Sequence, residues 1–409
     1  MADSTMAISD LPRDTLEDVL SRVPLKSLRS LRLTSKKLNT LLKDERFTKK
    51  YVTDQAKAAA EKDEFLAIMV MDFRVHLTSV NIDDSGCTCI NRQAELISPN
   101  NANPRVDISR VFHCEGLLLC VTKGIKSKLV VWDPYSGQTR WIDQPRRTSY
   151  HNYVLHALGY ETEKKDKSFC CHKILRFLDV YDLNKRRRVR EFEIYNFKTS
   201  SWKVLRVPNN FYVDSNRRGV TLKGNTYWCG HLNTFVPDWR HILICFDFTR
   251  ERFGPHMHLP FQADRRDTLA VSSGREEQLA VLLHRREASR LEIWVTSKIE
   301  PEDVSWNKLF LEMDTASLTG FQFPYNTASF FIDQKRSVAV VFDEDNLAHK
   351  HTSRYIAHVI GKNGCVQKLD LGECTESFCW LFACSYVPSL VQKEQPVRRS
   401  KRKRNQLVH

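Results

Sequence analysis

This chain of 409 residues holds only 14 glycines, and no two of them are adjacent. It contains no Cys-x-x-Cys pair, no Gly-x-Ser-x-Gly elbow, no Walker loop and no Rossmann fingerprint. Those absences remove the sequence marks of a structural zinc hook, an α/β-hydrolase nucleophile, a phosphate-cradling loop and a dinucleotide fold. No stretch reaches the roughly 18–20 uninterrupted apolar residues that a membrane helix needs. The opening MADSTMAISD is polar and acidic, which argues against a secretory leader, and no Asn-x-Ser/Thr acceptor occurs. These features fit an intracellular chain with no membrane role.

Hydrophobic residues make up 42% and charged residues 27%, enough apolar surface to offset chain entropy. A length of 409 residues suits two or three domains. Twelve cysteines are scattered along the chain, several inside apolar runs, such as Cys120 in LLLCV, Cys245 in ILICF and Cys384 in LFACSY. Reduced core thiols are expected, because free cysteine behaves as a small hydrophobe. Cys374, Cys379 and Cys384 lie five apart and Cys87 and Cys89 two apart, and neither spacing suits zinc. His113-Cys114-Glu115 has the form of half a zinc-deaminase signature, but no Pro-Cys-x-x-Cys follows it. A strand running into a turn at Gly116 is expected there, with no catalytic residue, metal or cofactor.

The formal net charge is +14, and six of those charges fall in one heptamer, RRSKRKR at 398–404. Arg398, Arg399, Lys401, Arg402, Lys403 and Arg404 lie in a polar tail expected to be disordered, and they form a nuclear-import candidate. The nucleus is thus the expected location, with the cytoplasm second; a merely solubilising tail is the bland alternative. A second basic run, Lys185-Arg186-Arg187-Arg188 with Arg190, is expected to be a solvated turn, or else a contact for an acidic target. No clustering of aromatic with basic residues is visible, so a nucleic-acid role is disfavoured.

Helical periodicity is confined to residues 11 to about 60. Leu16, Val19, Leu20 and Val23 fall at i, i+3, i+4 and i+7, one stripe of a helix ending at Pro24. Leu28 and Leu31 continue a second helix. Thr34 and Ser35 are candidate caps for a third, which carries Leu38, Leu41 and Leu42. Gln55–Asp63 is rich in helix formers and reads as a connector.

From Phe65 the period becomes two. Short runs rich in β-branched and aromatic residues, such as FLAIMVMDF, KLVVWDP, LICFDF and SVAVVFD, alternate with turn clusters, including 133–137 and 361–364. A two-strand aromatic unit recurs as Trp132…Trp141, Tyr195…Trp202, Phe246…Phe253 and Trp294…Trp306. Tyr195 to Phe246 is 51 residues and Phe246 to Trp294 is 48, the length of a four-stranded propeller blade. Each blade would bury a face on its neighbour, and ring closure would remove strand edges. The expected fold class is therefore α+β by segments: a small three-helix unit at 8–50, a helical connector at 51–64, an all-β domain at 65–388 and a basic tail at 389–409. The β domain is expected to be a β-propeller of about six blades, with a distorted β-sandwich pair as the alternative.

Residues 8–50, ISDLPRDTLEDVLSRVPLKSLRSLRLTSKKLNTLLKDERFTKK, resemble the plant F-box. The resemblance lies in Leu11-Pro12, the acidic-apolar helix ending at Val23-Pro24-Leu25-Lys26, and the Ser35-Lys36-Lys37 turn. HCEGLLLCV, LVVWDPYSGQTRWI, ALGYE, FEIYNFKTSSWKVL and TLKGNTYWCG are similar to the type 1 F-box-associated domain, most closely over 111–230. Together these stretches reach to about Pro388. Kelch propellers carry paired glycines in each blade, so the ring is argued here from spacing and aromatics alone.

The resemblance implies a non-catalytic substrate adaptor of an SCF-type cullin–RING ubiquitin ligase. Its F-box would dock a Skp-type adaptor, and through it the cullin scaffold, while the β domain would hold an unidentified target protein. Leu11, Pro12, Leu16, Leu20, Val23, Pro24, Leu28 and Leu31 are the expected adaptor-binding residues, with about a third of the leucines packing on one another instead. Many members carry Trp where Leu38 stands and Cys where Ser35 stands; the lost aromatic area would weaken docking by on the order of 1 kcal/mol. An F-box protein acting with the Skp adaptor outside any ligase, and a nucleic-acid-binding protein, are the competing functions.

Overall fold

Local capping sets the N-terminal helices. In the computed structural model α1 (Arg13–Ser21) follows Pro12 and carries Asp14 in its first turn, where the helix dipole favours negative charge. After α2 (Leu25–Thr34), the Ser35 Oγ accepts from the Lys37 amide at 3.2 Å and starts α3 (Lys36–Leu41). The Asp44 carboxylate accepts from the Arg46 amide at 2.9 Å and starts α4 (Glu45–Glu61). A three-helix count for residues 8–50 is not confirmed. ERFTKKYVTDQAKAAAE holds no helix breaker, so α4 begins inside that segment and continues through the expected connector.

The structure describes residues 11–386 apart from 24, 43, 62–63, 84–87, 96–105, 125–126, 135–137, 145–152, 163–170, 183, 185, 208–210, 215–217, 233–239, 275–276, 308–310, 316–327, 346–352, 362–365 and 377–380. The basic tail, Pro24 and most of the two expected hairpin turns lie outside the described residues.

Six antiparallel sheets follow. Blade I contains β1 (Glu64–Met71), β2 (Arg74–Ile82) and β3 (Thr88–Glu95). Blade II is β4 (Ile108–Cys114), β5 (Leu117–Thr122), β6 (Leu129–Trp132) and β7 (Thr139–Ile142). Blade III is β8 (Val154–Glu161), β9 (Cys171–Asp182), β10 (Arg187–Asn196) and β11 (Ser201–Val204). Blade IV is β12 (Phe211–Tyr212), β13 (Val220–Leu222), β14 (Asn225–Leu232), β15 (His241–Asp247), β16 (Arg252–Phe253) and β17 (Met257–His258). Blade V is β18 (Thr268–Ser273), β19 (Leu279–Arg285), β20 (Arg290–Glu300), β21 (Asp303–Trp306) and β22 (Leu311–Asp314). Blade VI is β23 (Ser329–Asp333), β24 (Val338–Asp345), β25 (Arg354–Gly361) and β26 (Val366–Glu373). The last strand, β27 (Phe382–Ser385), returns to blade I and pairs with β1, Phe382 opposite Val70 and Ser385 opposite Ala67. The inner strands β4, β8, β13, β18, β23 and β27 touch in succession, so the sheets form a six-bladed propeller arrangement.

The recurring aromatic unit is the outer hairpin of blades II to V. Tyr195 faces Trp202 across β10–β11, and Phe246 faces Phe253 across β15–β16. Each blade is buried on both faces, not one. Ala67, Met69 and Met71 of β1 join the core shared with blade VI, while the alternate Ile68 and Val70 join the core shared with blade II. Six such cores occur, one at each blade junction. This is why LLLCVT in β5 is apolar without alternation: every one of its residues is buried. The III–IV junction is the most aromatic, with Phe177 edge-on to Trp228 at 5.7 Å and stacked on Phe192 at 5.7 Å. Lys173 crosses the same junction, its Nζ donating to Glu251 at 2.9 Å and to the Phe248 carbonyl at 3.0 Å. Burial works against its charge, but the Glu251 and Glu161 carboxylates outweigh that and raise its pKa.

Glycine scarcity has a structural consequence. Among the described residues ten non-glycine residues adopt positive φ, including both Asp72 (φ 48°) and Phe73 (φ 59°) in the β1–β2 turn. Glycine is kept where a side chain cannot fit, as at Gly224 (φ +82°), where a Cβ would lie 2.8 Å from the Tyr160 carbonyl oxygen.

Candidate docking surfaces

The N-terminal helices enclose their own small core. Leu16, Leu20 and Leu28, each at most 1% exposed, pack with Leu38, Leu41, Leu42, Phe47 and Tyr51. Leu11, Val23 and Leu31 are half-buried at the rim of that cluster, and Pro12 is exposed. Val19, one of the stripe residues, is 40% exposed. The expected adaptor-binding set thus divides: three leucines hold the helices together, while Leu11, Pro12, Val23 and Leu31 remain at the surface with Val19. Periodicity could not make that division, because Phe47 and Tyr51, which cover the inner leucines, come from α4.

Helix α4 fastens this unit. The Tyr51 hydroxyl donates to the Val23 carbonyl at 3.1 Å and Gln55 Nε2 to the Ser21 carbonyl at 2.9 Å. Both satisfy carbonyls that the end of α1 leaves open. Along the other side Arg13 bridges Glu17 at 2.7 Å and Asp44 at 3.1 Å, Arg46 reaches Asp14 at 3.4 Å, and Lys50 pairs with Asp18. Apart from the buried Glu17 carboxylate, these groups are half to largely exposed, and such pairs fix orientation more than they stabilise. Beyond Glu61 the chain enters β1, against which α4 also packs.

In the β domain Arg188 and Arg190 of the second basic run are half-buried and not in the solvated turn expected, while Lys185 lies outside the described residues. Arg188 forks onto the Asp179 carboxylate at 2.5 and 2.6 Å, and Arg190 Nε reaches the same carboxylate at 3.1 Å. The Arg188 guanidinium also lies 4.5 Å over the Tyr212 ring, which stacks on His231 at 4.9 Å. Asp179, nine residues before Arg188 and opposite Arg190 across β9–β10, draws both arginines into the junction of blades III and IV, while Arg186 is exposed at the turn. His113 Nε2 accepts from the Gly116 amide at 3.0 Å, Cys114 is buried, and Glu115 takes φ 45° in the β4–β5 turn. Cys120 and Cys384 are core thiols, and burial pushes each up to about 12.

Two features escaped the sequence. The first is a latch between blades I and VI. The Asp72 carboxylate accepts from the Thr375 amide at 3.0 Å, the Thr375 hydroxyl at 2.9 Å, the Glu376 amide at 3.3 Å and the Tyr355 hydroxyl at 3.1 Å. The second is a cavity of about 450 Å³ beside that latch, lined by Arg74, His76 and Arg92 of blade I and by Tyr355, Glu373 and Glu376 of the facing segment. A polar cavity has no periodic signature. Its walls come from opposite ends of the chain.

Comparison with known proteins places these surfaces in context. The model described as an F-box domain matches residues 8–50, and the one described as an F-box associated beta propeller domain matches residues 66–393. An F-box/kelch-repeat protein of Arabidopsis thaliana is 51% identical over 398 residues, covering 94% of this chain and 99% of that one. An F-box protein of the same plant is 49% identical over 400 residues, covering 95% and 99%. Among solved structures, an Aleuria aurantia lectin shares 12% identity at a TM-score of 0.39, over 77% of this chain and 97% of the lectin.

Proposed function

This chain belongs to the family of F-box proteins that carry an F-box associated beta propeller domain, and from that premise we propose that it is the substrate-recognition subunit of an SCF-type cullin–RING ubiquitin ligase. F-box proteins are in general non-catalytic receptors, and the function proposed here is of that kind. One observation carries it: an apolar rim of Leu11, Pro12, Val19, Val23 and Leu31 on a helical unit too small to cover it, joined through α4 to a closed ring. A unit of about forty residues makes a marginal core, and a partner helix laid on the rim removes that apolar surface from water. The partner is the Skp-type adaptor, which brings the cullin scaffold. Leu16, Leu20 and Leu28 act indirectly, by holding the rim in shape. The propeller holds the target protein.

Affinity purification of the tagged full-length chain followed by mass spectrometry tests this reading. Adaptor together with cullin is the expected catch. Adaptor without cullin would point to a role outside the ligase, and neither would refute the proposal. We further propose that the tail directs nuclear import, because six of its seven residues from 398 to 404 are basic. Alanine in place of Lys401, Arg402, Lys403 and Arg404 should move a fluorescent fusion toward the cytoplasm; an unchanged distribution would refute the import role.

A further inference from the structure

Strand polarity separates the two ends of the ring. From Glu64, next to α4, β1 runs to Met71, about 23 Å along the strand at roughly 3.3 Å per residue. The β1–β2 turn therefore lies on the face turned away from the F-box, and by antiparallel alternation β3 ends and β27 begins on that same face. The cavity of about 450 Å³ between blades I and VI opens there. Its volume falls within the range of pockets that hold small ligands or side chains.

The charges around it are unequally matched. Asp72 is occupied by its four donors, Glu373 accepts from Arg354 at 3.2 Å, and Glu376 accepts from Lys123 at 3.1 Å. Arg92 differs. Its guanidinium donates to the Leu371 carbonyl and lies 3.8 Å from the Met71 sulfur, with no carboxylate partner among the described residues. Gly372 (φ +112°) leaves space beside it, since a Cβ there would come within 3.3 Å of Arg92 Nη2. A guanidinium presents five donors in a rigid fork, and two neutral acceptors leave most of them for a ligand.

We propose that this cavity is the site where the target protein is read, and that Arg92 takes an anionic side chain of the target, a carboxylate or a phosphate ester. The proposal rests on the receptor function above and adds the face, the cavity and the chemistry. A bidentate guanidinium–anion pair at the edge of a polar cavity supplies orientation as well as affinity.

The test uses full-length protein and immobilised random-sequence twelve-residue peptides carrying a central Glu, phosphoserine or Gln. Wild-type protein should bind the Glu or the phosphoserine set at least tenfold better than the Gln set, and the stronger of the two identifies the anion. Arg92→Gln should abolish that preference, whereas Arg206→Gln, which removes an exposed charge from the β11–β12 connection, should retain it. Should Arg92→Gln unfold, Arg92→Lys keeps the charge but not the fork, and a loss of at least fivefold on Glu peptides is expected. Equal binding of Gln peptides by wild-type protein, or an intact preference in both Arg92 variants, would overturn the proposal. Recovery of the Skp-type adaptor is measured on the same samples. Adaptor bound without anion preference refutes the cavity alone; adaptor unbound refutes the receptor reading.

Discussion

Replacing Asp72 with alanine should loosen the ring where its two ends meet. The carboxylate collects four hydrogen bonds, and the groups that donate them lie 283 to 304 residues away in sequence. A hydrogen bond to a charged acceptor contributes about 1.5–3 kcal/mol. Four sharing one carboxylate do not add, and the freed amides regain water, so a net loss of about 2–3 kcal/mol is the reasonable sum. Asp72 also sits at φ 48°, which alanine tolerates less well than aspartate, adding about 1 kcal/mol. A total of about 3–4 kcal/mol, at roughly 2 °C per kcal/mol for a large domain, lowers the melting temperature by about 6–8 °C. Asp72→Gly loses the same bonds without the backbone strain and should fall about 1 kcal/mol short of the alanine loss. Asp72→Asn keeps one acceptor oxygen and should lose about half. Tryptophan fluorescence during thermal unfolding of the full chain gives the ranking. Limited proteolysis of the alanine variant should cut first between β26 and β27, since β27 depends on this closure. A melting temperature within 1 °C of wild type, or cleavage spread evenly over all blades, would refute the latch.

Leu11→Ala with Pro12→Ala should weaken adaptor binding by about 2 kcal/mol, near thirtyfold, and leave the target bound, which co-precipitation of both partners would measure. Leu20→Ala acts differently: a side chain at 0% exposure leaves a cavity costing about 2–5 kcal/mol, so helical circular dichroism should fall while the propeller melts as before. His156 is neutral in the fold, because burial, with Arg110 and Arg176 assisting, holds its pKa down to about 3. The unfolded imidazole titrates near 6.5, so between pH 6.5 and 3 only the unfolded chain takes up the proton. Stability should therefore fall with pH there by up to about 1.4 kcal/mol per unit, and His156→Met should flatten that part of the stability profile. Gly159→Ala would put a Cβ onto the Phe248 ring and 2.5 Å from the Gly224 carbonyl oxygen; a loss of about 1–3 kcal/mol is expected in a denaturant titration.

What the sequence determined by itself was local. The 3.6-residue period marked α1 to α3, and Ser35 marked a helix start, because a helix and its cap are written within one or two turns. The outer hairpins were legible for the same reason: Tyr195 and Trp202, or Phe246 and Phe253, are neighbours in sequence as well as across the strands. Their repeat length gave the blades, and the absence of adjacent glycines did not hide them. The tertiary structure alone decided what depends on distant partners. Blade I borrows β27 from the far end of the chain, so no local repeat announces it. Leucines on one stripe divide into core and rim only when α4 covers some of them. Arg188 and Arg190 read as a solvated basic run until the β9–β10 register sets Asp179 opposite Arg190 and the ring brings Tyr212 of blade IV under Arg188. The Asp72 latch and the Arg92 cavity exist only because the ring brings residues from both ends of the chain together, where a turn aspartate acquires four donors and an ordinary arginine is left facing a polar space.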